Sequence, residues 1–292
     1  MSDLRVAGIY SYPIKSCAGI EVPATGLGEF GIPYDRQWLV DDTQGRTLTQ
    51  RTNPELALVR TAVSNGLLLV NAPGMGELQL PLGHDPAGDK ALVDVNLWKR
   101  SGTAQSSGPD AAAYFSDYLH RPARVLHMVG PRPVKPECRV DGAVHEVAFA
   151  DGFPLLVTSL GSLAELNTYL AEHGEDPVPM DRFRPNIVVE GPAYDEDYWR
   201  EIRIGDLGAH VVRACTRCPV PNIPQDIGVL FRERPVTRAL RATRHGIDHI
   251  GEKGDFFGQN VVHVYAPKTT IRVGDPVFVL TRDTERNWQP AT

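Results

Sequence analysis

Cysteine is scarce in this sequence, with four residues in 292. That is far too few for the disulfide framework of a small secreted fold, and it points to a reduced, cytoplasmic setting. No apolar run approaches the roughly 18 residues that a membrane helix requires, so no membrane partner is expected. The N-terminus, Met1 to Cys17, lacks the basic region and apolar stretch of a signal peptide. Surplus positive charge is missing too. A net charge of −6 argues against a dedicated nucleic-acid binder, which needs a basic face to neutralise phosphates. There is no internal repeat and no low-complexity tract. What remains is an even balance, 42% hydrophobic and 23% charged, which suits a well-cored protein of one large domain or two.

The patterning is mostly that of strands. Leu4 to Tyr12 reads as an opening strand stopped by Pro13, and Gln37 to Asp42 as a second, followed by the turn residues Asp42-Thr43-Gln44-Gly45. Leu56 to Ser64 and Leu67 to Asn71 flank Asn65-Gly66, a strong hairpin signal. Leu78 and Leu80, then Val93, Val95 and Leu97, alternate with polar residues as half-buried strands do. Further strands are expected at Asn186 to Glu190, Glu201 to Ile204, His210 to Ala214, Gln259 to Tyr265 and Ile271 to Leu280, the last with a Val273-Gly274-Asp275-Pro276 turn. Two helices interrupt them. One runs from Pro109 to Leu119; the other is capped by Thr158 or Ser159, presents Leu163, Leu166 and Leu170, and stops at Gly174. Short strands with evenly spaced turns suggest antiparallel barrels rather than a doubly wound sheet. The fold class expected is therefore mainly β with a few helices (α+β). A first domain over 1–120 and a second over 121–292 are expected, with the boundary in a proline-rich stretch at roughly 120–152 (Pro122, Pro131, Pro133, Pro136) that reads either as a linker or as an internal loop packed on both halves.

Chemistry concentrates in three short segments. Ala214-Cys215-Thr216-Arg217-Cys218-Pro219 holds a C-x-x-C with three readings. A zinc site needs two more ligands, for which His210 and His245 are available but unfixed. A redox pair normally opens a helix, which Pro219 and Pro221 oppose. The third is a single reactive or metal-binding thiolate favoured by Arg217. Two buried core cysteines stand beside all three. Tyr12-Pro13-Ile14-Lys15-Ser16-Cys17, at a strand end, offers an ammonium, a hydroxyl and backbone N–H groups to a phosphate monoester, and Arg36 can add a bidentate contact. A surface lysine after a turn and an Arg36–Asp35 ion pair are the competing readings. Phe183-Arg184-Pro185-Asn186 sets an arginine fork and an amide in a loop, suited to a flat heterocycle or merely to satisfying loop carbonyls. The hydroxyls of Thr158 and Ser159 suit an anion or polar ring, or only cap the helix. Arg232, Arg234, Arg238, Arg241 and Arg244 form a basic stretch that reads as a solvated face, or as a docking surface for an acidic redox partner.

In this order the segments resemble the MOSC proteins, and in particular the branch of the mitochondrial amidoxime-reducing component and its bacterial relatives. Tyr12-Pro-Ile-Lys-Ser-Cys17 is similar to the start of the MOSC N-terminal β-barrel domain. Phe183-Arg-Pro-Asn-Ile187, Ala214-Cys-Thr-Arg-Cys218, Phe257-Gly-Gln-Asn260 and Ile271-Arg-Val-Gly-Asp-Pro276 are similar to the MOSC β-barrel domain. The resemblance implies a molybdenum cofactor in its molybdopterin form, with Cys218 as metal ligand and catalytic residue and Cys215 not a ligand. It implies that Lys15, Ser16 and Arg36 hold the cofactor phosphate, and that Thr158, Ser159, Arg184, Asn186 and Arg217 lie around the pterin. The reaction implied is reduction of hydroxylamines or amidoximes to amines or amidines. Electrons would come from a separate iron–sulfur or flavin protein, since no fused cluster of cysteines follows. The alternative is a carrier or sulfur-transfer protein for the same cofactor. A sulfurase fusion needs a further pyridoxal-phosphate domain, for which the chain has no room, so pyridoxal phosphate is not expected. One departure stands out. Relatives carry Val-Asp-Pro-x-Thr-Gly where this chain has Ile223-Pro224-Gln225-Asp226-Ile227-Gly228, and Asn222 or Asp226 is the candidate replacement for the missing aspartate.

Overall fold

Seven strands form the main path of a ten-stranded sheet, the larger of two β assemblies, in a computed structural model that describes residues 4–83, 92–97, 100–264 and 268–291. They are β1 (Arg5–Ser11), β2 (Leu155–Ser159), β3 (Ile187–Glu190), β4 (Trp199–Ile204), β5 (Leu207–Thr216), β6 (Lys253–His263) and β7 (Val277–Arg282). Their order in space is β1-β3-β2-β6-β5-β4-β7. The two ends of this path meet: Val6 N–H donates to the Asp275 carbonyl and Val277 N–H to that of Leu4, each at 2.9 Å. The sheet therefore closes on itself as a barrel, which removes its unpaired edges. Leu207, Ala209 and Val211 of β5 are buried in alternation and share one apolar cluster with Val6, Ile9, Ile187, Val189 and Val261.

Pairing is antiparallel throughout this path except between β2 and β3, where Val157 lies opposite Ile187 in parallel register. Parallel neighbours need a long crossover. The helix Leu160–Glu172 supplies it, capped by Ser159, whose Oγ accepts from Gly161 N–H at 3.1 Å. Gly174 follows at φ +74, as the stop signal requires.

The second assembly is an antiparallel sheet of Trp38–Asp41, Arg124–Gly130, Arg100–Ser106 and Leu92–Leu97, beside a meander of Arg60–Ser64, Leu67–Asn71 and Leu78–Pro81. The helix Pro109–Leu119 packs here through Ala111, Phe115 and Leu119, in a core with Ile14, Cys17, Trp38 and Leu68. The mainly β class with a few helices is what the chain adopts, and both expected helices are present.

Several elements differ from the sequence reading. Pro54–Leu58 is a single 3-10 turn rather than strand, because Pro54 sits at its first position and the strand starts only at Arg60. The proline-rich stretch at the expected domain boundary holds strand Arg124–Gly130, paired on both sides inside the second assembly, and the short pair Arg132–Pro133 with Glu146–Val147. Conversely β1, from the first segment, belongs to the barrel. Chain order and spatial grouping thus cross over twice. The expected strand from Gln259 runs from Lys253 to His263; Tyr265 lies outside the described residues. The basic stretch is in part a helix, Pro235–Arg244, which buries Val236, Ala239 and Leu240 at helical spacing. Arg244 is buried there, bonded to Asp197 and seated over the Tyr194 ring at 3.8 Å. Arg238 pairs with Glu175 and Arg241 with Asp255, so within this stretch three of the five charges are compensated inside the chain. Among the described residues no helix is long and apolar enough to cross a membrane.

Gly258 interrupts β6 at φ +76, and a Cβ there would meet Thr158 Cγ2 at 2.7 Å and the Val157 carbonyl at 2.8 Å. Gly258→Ala should therefore cost about 2–3 kcal/mol in urea unfolding, from left-handed strain plus a forced shift of β2.

Candidate functional site

The segment after β1, the segment before β3 and the end of β5 converge on one open cleft. Its wall includes Lys15, Ser16, Arg36, Arg184, Asn186, Arg217 and Cys218, seven of the nine residues singled out from sequence. Three of these, Ser16 (φ 71), Arg36 (φ 49) and Arg184 (φ 53), hold a left-handed backbone without being glycine. Such strain persists only where surroundings over-determine it, and it gathers at ligand-holding sites.

Tyr12 organises the arginines. The guanidinium carbon of Arg36 lies 4.2 Å from the ring centroid and that of Arg184 4.4 Å. Asp35 accepts from the Tyr12 N–H at 2.8 Å and from Arg36 Nη1 at 2.8 and 2.7 Å. Arg36 Nη1 also donates to Asn186 Oδ1 at 3.1 Å, and its Nη2 donates to the Arg184 carbonyl at 3.0 Å. The Asn186 side chain in turn accepts from Leu156 N–H at 3.1 Å and donates to the Tyr10 carbonyl at 3.2 Å. This network binds the segment around residue 36 to β2 and to the loop before β3. It also restricts Arg36: most of its fork is committed within the chain, so the ion pair with Asp35 foreseen as the competing reading is present.

Lys15 is likewise engaged, with the Phe149 carbonyl at 2.9 Å and with the Asp151 carboxylate. Burial lowers its pKa, against the opposing pull of Asp151. Burial also brings Arg184 down to about 10. Both shifts report cations held away from water with too little negative charge near them. Two cleft donors confirm the imbalance. Arg184 Nη2 and Arg217 Nε are buried and have no hydrogen-bond partner among the described residues. Buried donors are rarely left unmade, so this wall is suited to an anionic or acceptor-rich ligand.

The cysteines divide cleanly. Cys17 and Cys138 are buried, and burial pushes the Cys17 thiol up to about 12 and raises that of Cys138. Neither is suited to act as a thiolate. Cys215 and Cys218 are partly exposed and face the cleft. Arg217 Nη1 donates to Cys215 Sγ at 3.1 Å and its Nη2 to the Phe183 carbonyl at 2.7 Å. Cys218 Sγ accepts no such bond among the described residues and stands open to the cleft. The zinc reading fails on placement. His245 pairs with Asp255, His210 lies at the far end of β5, and among the described residues no group of His, Cys, Asp or Glu has metal-site spacing.

Thr158 and Ser159 are not in the wall of the cleft. The Thr158 hydroxyl points to Met180 Sδ at 3.3 Å, and Ser159 caps its helix and bonds the Gly191 carbonyl at 3.2 Å. Asn222 is also no replacement for an aspartate. It is fully buried and caps the helix Pro235–Arg244, accepting from Val236 N–H at 3.0 Å. Residues missed from sequence include Gln50, Arg51, Asp151 and Phe153. Gln50 Nε2 bonds the Ser16 carbonyl at 2.7 Å and Gln225 Oε1 at 2.9 Å, which ties the loop after Cys218 to the second assembly. No local signal marks Gln50, since its partners lie far along the chain.

Residues 3–122 match the family model described as the MOSC N-terminal beta barrel domain, and residues 144–278 match the MOSC domain. The chain belongs to the MOSC family. This MOSC protein is 33% identical over 286 residues to "Mitochondrial amidoxime-reducing component 1" of Mus musculus, covering 94% of this chain and 82% of that one. It is 32% identical to "Mitochondrial amidoxime reducing component 2" of Homo sapiens, with the same coverage of 94% and 82%. "Molybdenum cofactor sulfurase" of Oryza sativa subsp. japonica is 30% identical over 261 residues, which cover 84% of this chain but 31% of that protein.

The thiol geometry predicts selective alkylation. In native protein, iodoacetamide near pH 8 should label Cys215 and Cys218 and leave Cys17 and Cys138 unmodified, with all four reacting in denaturant; peptide mass spectrometry reads the pattern.

Proposed function

We propose that this MOSC protein holds a molybdenum cofactor in the cleft and uses it to reduce N-hydroxylated compounds. The observation that carries the reading is the pairing, in one cleft, of an unpartnered Cys218 sulfur with buried arginine donors that lack acceptors. A phosphorylated pterin dithiolene is anionic and rich in acceptors, so the donor set fits it. Cys218 is the protein's thiolate to the metal, a soft ligand for a metal already held by sulfur. Arg184 and Arg217 meet acceptors of the ring system, and Asn186 fixes the wall behind it. Lys15 and Ser16 receive the phosphate, with Lys15 exchanging the exposed Asp151 for the ligand. Arg36 contributes charge and holds the loops, rather than closing a free fork on the anion.

When bound, the cofactor supplies a two-electron couple and an acceptor for the departing oxygen. In the overall reaction the substrate N–O bond breaks. The nitrogen product and one water form from the substrate, two electrons and two protons. The electrons come from a separate redox protein. The chain's own part is to fix the thiolate, balance the anion's charge and leave one side of the cleft open to substrate. The match to relatives named as amidoxime-reducing components over 94% of the chain supports reduction as the reaction class. A second reading, cofactor carriage or sulfur transfer, is favoured by the match to the rice sulfurase.

Protein produced in a cofactor-making host should contain molybdenum and reduce an aryl hydroxylamine with reduced viologen. Molybdenum without reduction would select the second reading, and zinc or no metal would reject both. Cys218→Ala should lose the metal and at least about 99% of activity, a transition-state loss of roughly 3 kcal/mol or more. Cys215→Ala should keep most of both, and equal loss in the two variants would reject the assignment. Lys15→Ala combined with Arg36→Ala should lower cofactor retention about tenfold or more at an unfolding midpoint close to wild type; unchanged molybdenum content would remove the phosphate assignment.

A further inference from the structure

A second cavity, of about 380 Å³, lies at the other end of β5 and β6, where His210 and His263 stand. Cys215 lies five positions beyond His210 on β5, so the two sites are about 17 Å apart along the strand. Their walls are opposite in charge. The first cleft carries Lys15, Arg36, Arg51, Arg184 and Arg217 against Asp151. The second carries Glu29, Asp141 and Glu146 with His145, His210 and His263, and among the described residues neither lysine nor arginine is in its lining.

His263 is 3% exposed, and one of its ring nitrogens has no partner. Its Nε2 lies 2.8 Å from the Gly28 carbonyl, which can only accept, so Nε2 carries the proton and Nδ1 presents a bare lone pair. His145 Nε2 is buried without a partner as well. Burial lowers the pKa of both rings, which keeps them neutral and leaves them able to accept. Acceptors and carboxylates therefore face one space. A metal does not answer this arrangement, because among the described residues these groups do not converge at metal-site spacing. Val140 and Val264 add apolar surface to the wall.

We propose that this cavity binds a small organic cation, an ammonium or amidinium group bearing an apolar substituent. The cation's N–H groups meet His263 Nδ1 and the carboxylates, and the substituent lies along the valines. This site is independent of cofactor loading in the first cleft.

Benzylammonium is the probe, titrated into the full chain at pH 7.5 and followed by calorimetry and by the histidine ring signals in NMR spectra. Saturable binding that shifts His145 and His263 signals is expected. Glu29→Gln with Glu146→Gln should weaken it about tenfold or more. Val264 is exposed, so Val264→Lys should fold normally yet abolish binding by placing a cation at the mouth. Benzyl alcohol, the same shape without charge, should not bind. No saturation by about 10 mM, binding that these variants leave unchanged, or equal binding of the alcohol would each overturn the proposal.

Discussion

Two guanidinium groups share one tyrosine ring, and the site depends on that arrangement. Arg36 and Arg184 both lie against Tyr12, with one carboxylate, Asp35, beside them. Like charges this close repel, more so where water is excluded. What holds them is the surrounding chain: Asn186 and the Arg184 carbonyl accept from Arg36, and both arginines occupy left-handed backbone. The cost is met by barrel closure and by the core around Trp38, which fix the segments on either side. The outcome is a wall of excess positive charge beside a cysteine, stable enough to persist and incomplete without an anion.

The same constraint explains why the two β assemblies are not simply successive. β1 enters the barrel between β3 and the residues before β7, then delivers Tyr12, Lys15 and Ser16 to its end. Strand Arg124–Gly130 lies in the second assembly, pairing with Trp38–Asp41. A cleft built from both assemblies gains rigidity because the chain crosses between them on each side of it. Gln50 and Gln225 add a direct tie across the mouth.

Much of this was legible from residue order. Alternating patterns located most strands, and Pro109 and Ser159 marked the helix starts. Seven of the nine residues singled out line one cleft; Pro13, Pro33, Pro185 and Pro219 stand in their loops, and the family resemblance is what grouped them. Thr158 and Ser159 lie outside that lining, within and at the end of a strand. Their direction is set by the register of β2 against β6 and by the helix that Ser159 caps, neither of which local sequence states. The helix Pro235–Arg244 was hidden by charge: its three arginines, with Arg232 and Arg234 just before it, obscured Val236, Ala239 and Leu240. Gln50 and Asp151 carry no motif, and only the fold brings them to the cleft.

The central claim is that one sulfur of this chain, on Cys218, completes the metal's coordination. X-ray absorption at the molybdenum edge, on protein loaded in a cofactor-making host, tests it most directly. Two dithiolene sulfurs and one further thiolate are expected around molybdenum, with the Cys218→Ser variant losing that one sulfur neighbour. An unchanged sulfur shell in Cys218→Ser, or a loss seen instead in Cys215→Ser, would contradict the claim.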